Sequence, residues 1–274
     1  MKARAVRCPA RIPRALLFYV AVGVLLAGCG SPSQPAPPTS SGATPSPATS
    51  PATVTPAPGT PAEPALRHGY LPLWPFPDGA SVLAWQAAYR SGGHEPWHLD
   101  AGATALAFTR GFLDYTEVDR VTSRAVTSGD ALIGVGWLNP NQEPVTVATV
   151  HLLRFGTGAT APWEVVGTRD ARLSLTIPRY GARVTSPVQV GGRITGVDES
   201  LVVVIRVSPA GDQVGRAAPL PAGGENQPWR TTVGFTAPAG SVLTIAVSTG
   251  GHLAAVEAFA ITGVRAAVGG TRSP

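Results

Sequence analysis

Residues 30–64 hold 11 prolines in 35 positions, set among Ser, Thr, Ala and Gly with almost nothing large and apolar. Such a stretch buries too little apolar surface to offset the entropy of ordering it, so it forms no core. Folding is confined to the roughly 210 residues C-terminal to it, enough for two domains of about 100 residues each. Proline biases the tract toward polyproline II at ~3.1 Å per residue, which gives a reach on the order of 100 Å. It reads as a disordered linker, a spacer between a folded region and whatever holds the N-terminus.

The N-terminus carries its own address. Lys2, Arg4, Arg7, Arg11 and Arg14 come before any acid, and an apolar run at 15–27 follows them. These are the charged and apolar regions of a signal peptide. As a helix the run rises about 20 Å at ~1.5 Å per residue, short of a hydrocarbon core of ~30 Å, which disfavours a permanent transmembrane helix. It ends at Leu26-Ala27-Gly28-Cys29, which resembles the lipobox of bacterial lipoproteins, where the Cys thiol is alkylated with diacylglycerol and the chain is cut just before it. The resemblance implies a signal peptide at 1–28, lipidation at Cys29 and a mature chain anchored on the outer, extracytoplasmic face of the cell membrane. Two acyl chains, at ~0.8 kcal/mol per buried methylene, hold a protein where one does not.

Removing the leader changes the charge balance. Five of the 21 basic residues lie in the first 14 positions, which leaves 16 arginines against 16 acids. The mature chain is neutral, so its basic isoelectric point gives no argument for nucleic acid as a partner. Of the two cysteines, Cys8 lies in the leader and Cys29 is consumed by lipid, so no disulfide or thiolate metal site remains for the folded region.

The linker is assigned to 29–65, and the folded region divides at about 172. In 66–172 the spacing after Asp78-Gly79 predicts a helix stopped by Gly92-Gly93, and a second helix starts where Asp100 caps Gly102 or Ala103 and runs through Phe112. Strands are predicted at 131–138, 145–155 and 163–167, joined by Asn139-Pro140-Asn141 and Gly156-Thr157-Gly158 turns. The implied class is α+β, helices packed with an antiparallel meander. In 173–265 short strands recur every 8 to 12 residues, at 173–177, 188–195, 201–207, 231–235, 242–247 and 256–261, the pattern of an all-β sandwich. Residues 266–274 read as a flexible tail.

Within that second stretch, Ser186-Pro187-Val188-Gln189-Val190-Gly191, Val197-Asp198-Glu199 before a Val-rich strand, Pro209-Ala210-Gly211 and Phe235-Thr236-Ala237-Pro238 resemble the immunoglobulin-like domain of bacterial spore germination proteins. The match covers about a third of the chain. It departs at Thr249-Gly250-Gly251-His252, which stands where the family has an Asp-Gly turn. The resemblance implies an extracytoplasmic, non-catalytic module in a binding or structural role.

Catalytic chemistry has one candidate. His94-Glu95-Pro96-Trp97-His98 matches H-E-x-x-H, and Glu117 lies 19 residues beyond His98, near the spacing of a third zinc ligand. A zinc peptidase needs both imidazoles one helical turn apart on one face, with the Glu beside them. Pro96 between the histidines costs ~3 kcal/mol in a helix interior, and Gly92-Gly93 precede it, so the segment reads as a loop anchored by Trp97, with no metal. Asp114, Glu117 and Asp119 lack the glycine-centred loop of a calcium site and read as a solvated junction. Trp163 and Trp229 read as core or packing between the two stretches. No nucleophile elbow, phosphate loop or cysteine nucleophile follows Cys29.

The sequence therefore points to a non-enzymatic envelope lipoprotein without cofactors, presenting an immunoglobulin-like domain to an envelope protein or cell-wall partner. The alternatives are a small-ligand or lipid carrier with a pocket in residues 66–172, and the zinc peptidase at His94, Glu95 and His98. An apolar pocket above ~300 Å³ would favour the carrier.

Overall fold

The computed structural model describes residues 69–169 and 172–267; the leader, Cys29 and the Pro-rich tract lie outside the described residues. Strands dominate and helices are few. Among the described residues no helix is long and apolar enough to cross a membrane.

Helix α1, Gly79–Gly92, begins where the Asp78 carboxylate accepts the Ser81 N–H at 2.8 Å. It ends at Gly93, whose left-handed backbone returns its N–H to the Tyr89 carbonyl. Helix α2, Ala101–Ala107, is capped by Asp100 on the Ala103 N–H at 2.7 Å and continues into a π-turn, Phe108–Phe112. Both starts and the stop of α1 follow the cap residues the sequence supplies, whereas α2 passes into the π-turn at Phe108 without one.

Four strands then form an antiparallel meander: β1 (Arg120–Val126), β2 (Asp130–Leu138), β3 (Pro144–Arg154) and β4 (Trp163–Arg169). The 139–143 turn closes on itself, the Asn139 side chain bonding both the N–H and the carboxylate of Glu143. Strand alternation sends Leu153 and Val166 to one face, against Val82 of α1, and Leu152 and Val165 to the other.

The second stretch contributes β5 (Arg183–Val184), β6 (Val188–Val207), β7 (Gln213–Arg216), β8 (Leu220–Val233), β9 (Val242–Thr249) and β10 (Ala258–Ala266), paired in the order β5-β10-β9-β6-β7 with β8 on β6. Strand β6 is shared. Its first part pairs with β8, and residues 202–207 pair with β9 and β7. Val190, Trp229 and Val233 meet Val203, Ile205, Leu243 and Ile245 in one core, an arrangement consistent with a β-sandwich.

Strands β9 and β10 are buried along their whole length. One face joins the sandwich core. The other carries Val242, Ala246, Phe259 and Ile261 into the core of the helices and meander, beside Phe108, Ile133 and Trp163. Each of the Val, Ile and Phe side chains contributes roughly 1.5–3 kcal/mol on burial, so the two stretches complete one another's apolar packing.

Several strands differ from the sequence reading. β6 runs unbroken through 196–200, where a turn is predicted, because β8 follows it with register slips at Ile194/Gly196 and Gly196/Glu199. β8 starts at Leu220, not near 231. Residues 173–177 make only isolated bridges to β6, since the Thr176 and Ile177 N–H groups both donate to the Gly191 carbonyl and the ladder cannot continue.

Candidate functional site

The H-E-x-x-H residues do not assemble. Pro96–Leu99 is a single 3₁₀ turn, Glu95 takes a left-handed backbone (φ 51°), and no helix carries both histidines. His94 is exposed and Glu117 is exposed. His98 is 3% exposed, ringed by Phe76, Trp85 and Trp97, with Glu95 at 3.4 Å from its Nε2. Burial lowers its pKa, and Glu95 pulls it only partly back. The residue anchored in this segment is therefore His98. Trp97 is half-buried and stacks on Trp74 at 5.5 Å. Among the described residues no group of three His, Cys, Asp or Glu side chains is placed to hold a metal.

Asp114, Glu117 and Asp119 are likewise not gathered: all three are exposed, and Asp119 pairs with its neighbour Arg120 at 3.0 Å. Trp163 and Trp229 are core residues, the first donating its indole N–H to the Leu99 carbonyl.

What the fold does assemble is a cleft of about 260 Å³ at the margin of the β9–β6–β7 sheet. Register builds its floor. Val202 pairs with Ser248, Val204 with both Ala246 and Arg216, and Arg206 with Gln213, so these side chains share one face. The 113–115 turn after the π-helix, Ala255 and Val256 complete its lining. Arg206 is fixed from two sides, its Nη1 donating to the Gly211 carbonyl at 2.7 Å and its Nη2 to the Leu113 carbonyl at 3.3 Å. Tyr115 packs on Phe259. Burial raises the Tyr115 pKa, and Ser248 with the charges of Arg206 and Arg216 acts against that rise. Asp114, with φ 65°, stands at the exposed rim.

Beside this cleft the chain between β9 and β10 forms an organised loop. One carboxylate oxygen of Glu257 accepts the N–H groups of His252 (2.7 Å), Leu253 (2.6 Å) and Ala254 (3.3 Å). The Glu257 N–H returns to the Thr249 carbonyl, and the Gly251 N–H to that of Ala254. Burial raises the Glu257 pKa, yet the three N–H bonds outweigh it and hold the carboxyl below its ordinary value. Trp137 fixes the loop's far end by donating its indole N–H to the Val256 carbonyl at 3.1 Å. Leu253 is left 75% exposed at the tip.

Sequence reasoning singles out Asp114 and the 249–252 turn but misses Tyr115, Arg206, Arg216, Ser248 and Glu257. One signal was present: Arg206 interrupts an otherwise apolar strand, Leu201 to Val207, and a guanidinium there requires partners. No protein-family model, curated protein or solved structure matches the chain.

Proposed function

We propose that the chain is a non-enzymatic envelope lipoprotein, anchored through lipid on Cys29 and raised by its Pro-rich tract, that binds an envelope protein with the 250–257 loop and the adjoining cleft. The observation that carries this reading is Leu253. A single exposed apolar side chain is ordinary on a protein surface. Here the backbone beneath it is already held by Glu257, so a partner that covers Leu253 spends little entropy on ordering the loop.

The resemblance to the germination-protein module supports reading 173–265 as an immunoglobulin-like sandwich, with 66–172 as an α+β unit packed on it. The two-layer pairing around β6 agrees with the first, and the helices with the β1–β4 meander agree with the second. Charge in the 260 Å³ cleft fits a small polar group better than the apolar cargo of a carrier. The scattering of His94, His98 and Glu117 speaks against the peptidase.

Affinity capture of the full chain from cross-linked envelopes tests the reading, with Leu253→Asp run beside the wild type. A protein retained by the wild type and lost by the variant supports it. Equal recovery by both chains removes the loop from the interface.

A further inference from the structure

We infer that the cleft between Tyr115, Arg206 and Arg216 is an oxyanion-binding site that takes a single carboxylate or phosphate group. The inference rests on the binding-module reading for its setting, and names the chemistry of the group that the same face accepts.

Three features carry it. Two guanidinium-bearing residues from adjacent strands face one cavity, although an arginine pair on neighbouring strands is repulsive unless something neutralises it. Among the described residues neither Arg206 nor Arg216 takes part in an ion pair. Arg206 is oriented in advance: its contacts to the Gly211 and Leu113 carbonyls use one N–H on each terminal nitrogen and leave the rest of its five donors for an incoming acceptor. A planar guanidinium held this way suits a carboxylate or phosphate, whose oxygens accept two parallel N–H bonds.

The remaining lining sets size and charge. At about 260 Å³ the cleft is smaller than the ~300–1,000 Å³ of a drug-sized pocket, so it admits a small anion or one anionic group of a larger molecule. Val202, Val204 and Ala246 give it an apolar floor, while Tyr115 and Ser248 are the hydroxyl-bearing residues of its lining. Asp114 at the rim opposes negative charge, which selects a single anionic group over a polyanion.

Titration of the full chain in detergent with inorganic phosphate, acetate and glycerol phosphate, followed by calorimetry and by the arginine side-chain NMR signals, tests the site. Saturable binding of any of the three is expected, weakened at least tenfold by Arg216→Ala, tightened severalfold by Asp114→Asn and unchanged by Arg90→Ala on the distant α1 helix. Preference for glycerol phosphate over inorganic phosphate would assign the group to a lipid or polymer headgroup, and the reverse to a free ion; both support the site. Absence of saturable binding to all three, or binding indifferent to Arg216→Ala and Asp114→Asn, overturns it. That failure leaves Leu253-dependent capture untouched, so loss of the anion site and loss of the interface are read separately.

Discussion

The Tyr180 hydroxyl satisfies both backbone polar groups of Leu71, accepting its N–H and donating to its carbonyl, each at 2.9 Å and 109 residues apart in sequence. Leu71 is fully buried, so no water replaces this partner. The same tyrosine ring lies against Gly263 of β10, where an added Cβ would come within 2.6 Å of Leu73. The hydroxyl thus fastens the start of the first stretch onto the sheet of the second.

Tyr180→Phe leaves two buried backbone groups unpaired and is expected to cost about 2–4 kcal/mol, measured by denaturant unfolding. Burial raises the Tyr180 pKa above that of a free tyrosine. Its stabilising effect is therefore complete below the unfolded value of ~10 and declines as the pH rises beyond it. The wild type should lose stability more steeply than Tyr180→Phe in that alkaline range.

His98 works in the opposite direction. Its folded pKa lies below the free value because burial disfavours the charged ring. Its contribution is complete above the unfolded value of ~6.5 and is lost as the pH falls through the lower folded value. Thermal unfolding midpoints should drop on mild acidification in the wild type and drop less in His98→Phe, which keeps a ring among Phe76, Trp85 and Trp97.

Glu257 governs the 250–257 loop. Because its folded pKa is depressed, the loop is held above the unfolded carboxyl value of ~4.3 and loosens as the pH falls through the folded one. In Glu257→Ala the three N–H groups lose their acceptor, and amide exchange at 252–254 should accelerate by roughly tenfold, about 1.4 kcal/mol. Global stability should change far less, since the loop is surface-exposed.

The proposed lipid anchor has its own test. Cells expressing the chain and fed a labelled fatty acid should incorporate it into the wild type and not into Cys29→Ala, which should leave the membrane fraction. Label retained by the variant would contradict lipidation at Cys29.

Local signals were the legible part of the fold. Asp78, Gly93 and Asp100 mark helix ends through single side-chain or backbone bonds, and those ends are where the structure has them. Strand β2 was visible because burial on both faces keeps it nearly free of polar side chains after Asp130, and β3 and β4 because their Val-rich runs are bounded by turn residues. β1 was missed because its last four residues are exposed and its composition is polar. Residues 220–230, rich in Pro and Gly, read as a loop, yet they pair along β6 because pairing is decided by the partner strand. The cleft was hidden for a related reason: its floor is set by register among residues 202–206, 213–216 and 246–248, which no spacing along the chain reveals.

The interface is tested most directly by a photo-activated cross-linking residue placed at position 253 in the full chain and irradiated in intact cells. Position 126 is the control, being about half exposed on β1 and outside the loop and cleft. A discrete cross-linked protein from 253 and none from 126 is the expected result. No product from 253, or the same products from both positions, would contradict the assignment of the 250–257 loop as the binding face.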